Sequence, residues 1–167
     1  MTQPEEERIA RAVLRFEIEE LLVESAYLLD RGRFEELVAL YTEDCEIRRL
    51  PPPFTGDEFA VIRGRGALAE SYAGPEWPRT ARTMRHVITN VRLTPLAEGR
   101  VGATSTWTGY RYEGEGLSVS SPMAVGDYED ELRRDGDGRW RIHRRKIVIA
   151  FLDQQLLAAA TRAAPGR

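Results

Sequence analysis

Two side chains in this sequence can pass a proton near neutral pH, provided the fold brings them together. His86 stands inside Thr83-Met84-Arg85-His86-Val87-Ile88-Thr89-Asn90, an otherwise apolar, β-branched stretch. Imidazole is the side chain that gains and loses a proton near neutrality. Asp30 closes Tyr27-Leu28-Leu29-Asp30, the end of an amphipathic helical pattern. A carboxylate beside an imidazole fixes its tautomer and stabilises the imidazolium as it forms. Such a pair can act as a general base on carbon next to a carbonyl or a leaving group. Tyr27 lies three residues before Asp30 and so shares its helix face. From there it can donate a hydrogen bond to a developing enolate oxygen. Trp107, Phe59 and Met123 are candidate apolar walls for a pocket, although such residues in strands also serve as plain core.

These residues need a scaffold, and the pattern supplies one. Residues from about 4 to 30 read as one long helix or two abutting ones. Thr2 and Glu5 resemble a capping box, and Pro4 suits a first turn. Ile9, Val13, Phe16, Leu21, Leu22, Ser25, Leu28 and Leu29 form a stripe at helical spacing. Gly32 is a natural stop. Arg33 to Tyr41 predicts a second helix, Glu43-Asp44 a turn, and Cys45 to Leu50 a strand. Pro51-Pro52-Pro53 breaks regular structure and opens a loop to Gly56, a candidate rim or lid. Phe59 to Ile62 reads as a short strand, and Gly64-Arg65-Gly66 opens a third helix through Tyr72, closed by Pro75 and Pro78.

The remainder is β in character. Arg82 to Leu93, Arg100 to Tyr112, Leu117 to Arg134 and Arg139 to Phe151 are four strand candidates. Ala97-Glu98-Gly99, Glu113-Gly114-Glu115-Gly116 and Asp135-Gly136-Asp137-Gly138 separate them as hairpin turns, which predicts an antiparallel meander. Asp153 to Arg162 adds a terminal helix or a loose tail. Helices followed by a long sheet define an α+β fold with a hollow between helix and sheet.

At 167 residues the chain is long enough for one domain with a real core, spanning 1–167 with a tail from 153. Its 42% apolar and 31% charged residues are ordinary for a soluble protein. A net charge of −3 argues against nucleic acid or an anionic membrane as partner. No apolar run has bilayer-spanning length, and Met1-Thr2-Gln3-Pro4-Glu5-Glu6-Glu7 lacks the parts of a signal peptide. The single cysteine, Cys45, excludes an internal disulfide. Together these features predict a cytoplasmic location.

Three motifs are set aside. Gly64-Arg65-Gly66-Ala67-Leu68-Ala69 has dinucleotide-loop spacing but no acidic residue about twenty positions on and no βαβ unit. Asp135-Gly136-Asp137-Gly138 lacks the remaining ligands of a calcium loop. Arg139, Arg141, Arg144, Arg145 and Lys146 face a strand bearing Asp127, Glu129, Asp130 and Glu131, so a solvated, charge-matched sheet face is expected rather than a nucleic-acid site. His86, His143 and Cys45 do not form a recognisable metal-ligand set, and no metal or other cofactor is expected.

The order of elements resembles the nuclear transport factor two superfamily, a cone-shaped α+β fold of N-terminal helices on a strongly curved sheet. The likeness spans roughly residues 9 to 152. It rests on Tyr27-Leu28-Leu29-Asp30-Arg31-Gly32-Arg33-Phe34 with Leu40-Tyr41-Thr42-Glu43-Asp44, on Arg85-His86-Val87-Ile88-Thr89-Asn90-Val91, and on Gly126-Asp127-Tyr128-Glu129-Asp130-Glu131-Leu132 running into Gly138-Arg139-Trp140-Arg141-Ile142-His143-Arg144-Arg145. Within that superfamily the blocks are similar to the SnoaL-like proteins, which include polyketide cyclases and relatives of scytalone dehydratase. They are also similar to the small β subunit of aromatic-ring-hydroxylating dioxygenases. The SnoaL-like resemblance implies that Asp30 pairs with His86 and that Tyr27 stands near the helix tyrosine of the dehydratases. The scytalone-type second histidine is missing from Trp107-Thr108-Gly109-Tyr110-Arg111-Tyr112, which makes Tyr110 the nearest replacement donor and scytalone an unexpected substrate. The middle segment, Ile62 to Glu70, looks more SnoaL-like.

Three functions stay open at this stage. The first is a cofactor-free lyase or isomerase of dehydratase or cyclase type, acting on a cyclic or polyketide-like substrate by elimination, isomerisation or ring closure, with a homodimer as the usual assembly. The second is a structural partner of a large dioxygenase subunit. The third is a non-catalytic small-molecule binder.

Overall fold

The computed structural model describes residues 2–50, 58–74, 84–97, 99–112, 122–154 and 158. Its first element is a single helix, α1 (Gln3–Asp30), about 42 Å long. The Glu5 carboxylate reaches back to accept from the Thr2 amide at 3.4 Å. The expected apolar stripe divides in two. Ile18, Leu21, Leu22, Ser25, Ala26 and Leu28 are buried, whereas Ile9, Val13 and Phe16 are exposed, Phe16 by 65%. The N-terminal half overhangs the sheet, so helical period alone did not reveal which half is covered.

The far end of α1 is closed by a Schellman motif. Gly32, at φ 67°, donates to the Leu29 carbonyl at 3.1 Å, and Arg33 donates to Leu28 at 3.0 Å. Glycine tolerates that left-handed backbone without strain. The cap leaves Asp30 as the last helical residue. Among the described residues a short α2 (Phe34–Ala39) and α3 (Arg65–Tyr72) join it in the helical layer. Phe34 and Tyr72 stack between them at 5.0 Å.

The described residues also form six strands: β1 (Tyr41–Arg49), β2 (Ala60–Arg63), β3 (Met84–Pro95), β4 (Arg100–Arg111), β5 (Ala124–Arg134) and β6 (Trp140–Leu152), the first two preceding α3. They form one sheet ordered β2-β1-β6-β5-β4-β3. The predicted meander of β3 to β6 is present and antiparallel, while β1 joins β6 in parallel, so the sheet is mixed. Two predicted boundaries change. The second helix ends at Ala39, and Glu43-Asp44 lies inside β1 rather than in a turn. A register irregularity between Tyr41 and Glu46 absorbs these residues. The expected Pro51–Gly56 loop, the Pro75 and Pro78 breakers, the Glu113–Gly116 turn, the start of the Leu117 strand and most of the tail lie outside the described residues.

The inner face of the sheet meets the helices, with α1 crossing β3 and β6. On β4, Val101, Ala103, Ser105, Trp107 and Gly109 point inward and are buried. The main core joins Ile18, Leu22 and Leu28 of α1 to Leu37, Leu68, Leu132 and Ile142. Full burial of each such side chain stabilises by about 1.5–3 kcal/mol. A second cluster of Trp107, Ala124 and Tyr128, packed by Ile88, Met123 and Ile149, lies beside it. The outer face carries charge ladders, with Glu129 on Lys146 at 3.1 Å and Glu131 on Arg144 at 3.2 Å. No helix among the described residues is long and apolar enough to cross a membrane.

Candidate active site

Asp30 and His86 meet. The capped end of α1 sets the carboxylate against β3, where both its oxygens engage one residue. Oδ1 lies 2.6 Å from His86 Nδ1, and Oδ2 accepts the His86 backbone amide at 2.7 Å. The two side chains are 5% and 6% exposed. Arg85 adds a donor to the Asp30 carbonyl at 3.4 Å. In the tautomer whose Nδ1–H donates to Asp30, the ring presents its lone pair at Nε2. No described residue engages that nitrogen. The amide contact fixes the carboxylate as well as the ring, so the pair is held from both sides of the helix–strand junction.

The ring faces an aromatic wall. Trp107 lies 6.0 Å from His86, tilted by 51°, and stacks on Tyr128 at 5.8 Å. His86 pairs across the strands with Gly109. A Cβ at Gly109 would stand 3.2 Å from Met123 Cε and 3.3 Å from Trp107 Cζ3, so the missing side chain leaves room for both. Gly126 plays the same part more strictly. A Cβ there would meet the Val148 carbonyl at 1.9 Å and Trp107 Nε1 at 2.9 Å. Met123 is held by its own backbone, donating to the Gly109 carbonyl at 2.7 Å.

Beyond Tyr128 opens an interior hollow lined by Ser25, Ala26, Leu29, Tyr41, Tyr72, Tyr128 and Arg145, among others. Its cavity volume is about 40 Å³. Asp30 and His86 do not line it, but Ala26 and Leu29 belong to the last turn of α1 before Asp30. A guest larger than water enters only as lining side chains give way.

Sequence reasoning missed the polar wall of this hollow. Arg145 is buried and grips Asp130 through two bonds of 2.8 Å, with Ser25 Oγ at 3.3 Å and the Tyr41 hydroxyl at 3.4 Å. Its Cζ lies 4.2 Å from the Tyr128 ring. Burial alone would weaken the guanidinium, but Asp130, Tyr41 and Tyr128 outweigh that and hold it charged. Burial pushes the Tyr41, Tyr72 and Tyr128 phenols upward, so all three stay neutral. The charge run around Asp130 and Arg145 is therefore not one solvated face. Strand alternation sends this pair inward and its neighbours outward. That alternation was the signal available in the sequence.

The remaining candidates separate. Tyr27 is 40% exposed, with the Arg31 guanidinium 3.7 Å from its ring. Tyr110 pairs with Arg85 on the outer face, opposite to Trp107. Phe59 lies with Arg48 and Lys146 on that same outer face, 5.5 Å from the Lys146 ammonium. Tyr110 and Phe59 thus stand across the sheet from the dyad, whereas Trp107 and Met123 stand beside it. His143 lies elsewhere, 3.1 Å from Thr42. Among the described residues no three His, Cys, Asp or Glu side chains gather as a metal set would.

Comparison with known proteins gives a consistent picture. The profile of the SnoaL-like domain matches residues 10–146. The small oxygenase component of the p-cumate 2,3-dioxygenase system of Pseudomonas putida is 30% identical over 167 aligned positions, covering 92% of this chain and 87% of that protein. Two solved structures from Novosphingobium aromaticivorans share the fold. One is a β subunit assigned to an aromatic-ring-hydroxylating dioxygenase, with a TM-score of 0.71 at 19% identity, covering 86% of this chain and 94% of that one. The other is assigned as a scytalone dehydratase, with a TM-score of 0.69 at 23% identity, covering 86% and 88%.

Proposed function

The chain belongs to the SnoaL-like domain family, and from that premise we propose that it is a cofactor-free acid–base enzyme on a small cyclic, polyketide-like carbonyl compound. One observation carries this reading. A buried carboxylate binds both the ring and the amide of His86 and leaves Nε2 unengaged. His86 Nε2 takes a proton from carbon next to the substrate carbonyl. The C–H electron pair moves into a new C=C bond, and the carbonyl pair moves onto oxygen. Asp30 stabilises the imidazolium across the 2.6 Å contact. The imidazolium then returns its proton, either to another carbon of the enolate in isomerisation or to a departing hydroxyl in elimination. A positioned base of this kind contributes about 10²- to 10⁴-fold to rate.

The test is deuterium exchange. Cyclic ketones incubated in heavy water are expected to exchange their α-protons with the wild-type protein. His86→Ala and Asp30→Asn are expected to slow the exchange at least about 100-fold. Equal exchange by all three proteins, or none by the wild type across a panel of ketones, refutes the mechanism.

A second reading has its own support, the 30% identity to a small oxygenase component along nearly the whole chain. Here the protein is a structural subunit beside a large oxygenase subunit. Purification from the native host separates the two. Co-elution with a large iron-sulfur protein supports the structural role, and elution without it supports the enzyme.

A further inference from the structure

Far from the dyad, the overhanging half of α1 leaves a groove of different chemistry. It lies between α1 and the ends of β3, β4, β5 and β6, with a cavity volume of about 940 Å³. Small-molecule sites are commonly of this size. The floor is apolar, made of Leu14, Leu93, Pro95, Val101 and Trp140. Leu14, Leu93 and Trp140 rest on the main core, which holds that floor in place. The walls are cationic, made of Arg11, Arg15, Arg100 and Arg134, and no Asp or Glu lines the groove among the described residues. In a chain of net charge −3 this is a local reversal of sign.

Three of the four guanidiniums are held by carboxylates that do not line the groove. Arg15 meets Glu19 at 2.6 Å, Arg134 meets Glu17 at 2.9 Å and Arg100 meets Glu131 at 2.8 Å. Arg134 also lies 5.0 Å from the Trp140 ring, whose indole donates to Glu17 at 3.1 Å. Arg11 is exposed and has no hydrogen bond or ion pair among the described residues. Four cations against three carboxylates leave one positive charge uncompensated, and it stands beside the apolar floor. A wet apolar floor gains by being covered, and a free guanidinium beside it selects a covering molecule with one anionic head.

We propose that this groove is a second binding site and that it takes an amphipathic monocarboxylate. The carboxylate accepts from the Arg11 guanidinium, whose planar fork matches it. Arg15, one turn further along the same helix face, adds to the field that holds it. The hydrocarbon body covers Leu93, Pro95, Val101 and Trp140. The groove has room for a body of roughly ten carbons or more. Arg11 precedes Asp30 by a helix length of about 28 Å, so the two sites are separate. The groove does not rest on the acid–base reading and would bind its ligand in a protein without a working His86.

Titration calorimetry with decanoate, hexanoate and decyltrimethylammonium, all below micelle-forming concentration, separates head from body. Wild type is expected to bind decanoate about 10- to 100-fold more tightly than hexanoate, since four methylenes leave water. It is expected to bind the cationic probe at least about tenfold more weakly than decanoate. Two exposed positions on opposite sides of the groove locate the ligand. Arg11→Gln removes the head's partner, and Pro95→Asp sets a like charge over the floor. Each is expected to weaken decanoate about tenfold. Neither residue has a side-chain bond to lose, and matching thermal melts confirm the fold. His86→Ala is expected to bind decanoate as wild type does. Equal affinity for the two ten-carbon probes would mean adsorption without recognition of charge, and overturns the proposal. So does unchanged binding in Arg11→Gln or Pro95→Asp, or no wild-type binding at millimolar decanoate. Binding that is lost in His86→Ala would place the probe at the dyad and overturns it too.

Discussion

The chain's two histidines sit on one sheet, on β3 and β6 with two strands between them, and in opposite chemical circumstances. Both are largely buried, and both have an aspartate nearby. His86 owns its aspartate, because both Asp30 oxygens bind that one residue. His143 does not. Its Nδ1 lies 3.1 Å from Thr42 Oγ1 and 3.6 Å from Asp44. Asp44 is 61% exposed and is already gripped by Arg133 at 2.7 Å and 3.1 Å. Burial pulls the His143 imidazole below its ordinary range. Arg133 and Arg144 push it further down, and Asp44 and Glu131 only partly offset them. A carboxylate near an imidazole therefore does not make a dyad. What matters is which other cation competes for the carboxylate and whether the contact is sealed from water.

The largest effect that can break this contrast is on turnover. His86→Ala is expected to lower kcat/KM by about 10²- to 10⁴-fold on any ketone the protein processes. His143→Gln is expected to stay within about twofold, since its ring faces Thr42 and Asp44 and not the hollow. Steady-state rates on both variants check it. A comparable loss in the two would mean that the distinction between the histidines is structural only.

Much of this site was legible before any coordinates, and the reasons are specific. The Schellman glycine, the hairpin turns and the β-branched run around His86 are local signals, so α1, β3 and the Asp30–His86 pairing could be read from residue types and the family likeness. Side-chain facing was harder because it depends on register. Trp107 and Tyr110 are three residues apart, and a regular strand cannot point both to one face. That rule, applied to β4, separates them and turns Tyr110 outward. Applied to β5 and β6, it turns Asp130 and Arg145 inward, away from Glu129 and Lys146. Phe59 was harder still, since its facing follows from how β2 pairs with β1, a contact with no local signature. The hollow's width was beyond reach, because it is set by how Tyr41, Tyr72 and Tyr128 pack from three separate elements.

Stability sharpens the same contrast at intermediate size. Removing the Asp30 side chain leaves the His86 amide buried without its acceptor, which costs about 1–3 kcal/mol. Removing the exposed Asp44 carboxylate breaks a surface pair worth at most about 1 kcal/mol. At roughly 2–4 °C per kcal/mol for a chain of this size, Asp30→Ala should lower Tm by several degrees and Asp44→Ala by few or none. Calorimetry at pH 7 measures both. Equal shifts would mean that the Asp30 contact is no better sealed than the Asp44 one.

The smallest effect is the pH dependence carried by His143. The fold holds its imidazole below the ordinary value of about 6.5, so the neutral form is favoured in the native state. Between that ordinary value and the lower folded one, the unfolded chain binds more protons than the native chain. Unfolding free energy must then fall as pH drops through this window, and the loss is complete below the folded value. Above about 6.5 the residue contributes no slope. Asp44 does not confuse the measurement, because its bond to Arg133 holds its carboxyl well below the usual carboxylate range and it stays ionised throughout. Urea melts of wild type and His143→Gln between pH 5 and 7 isolate the residue, since every other titrating group is common to both. The wild-type curve should descend more steeply towards acid. Parallel curves would mean that burial does not disfavour the His143 imidazolium, and the two histidines would then differ only in their neighbours.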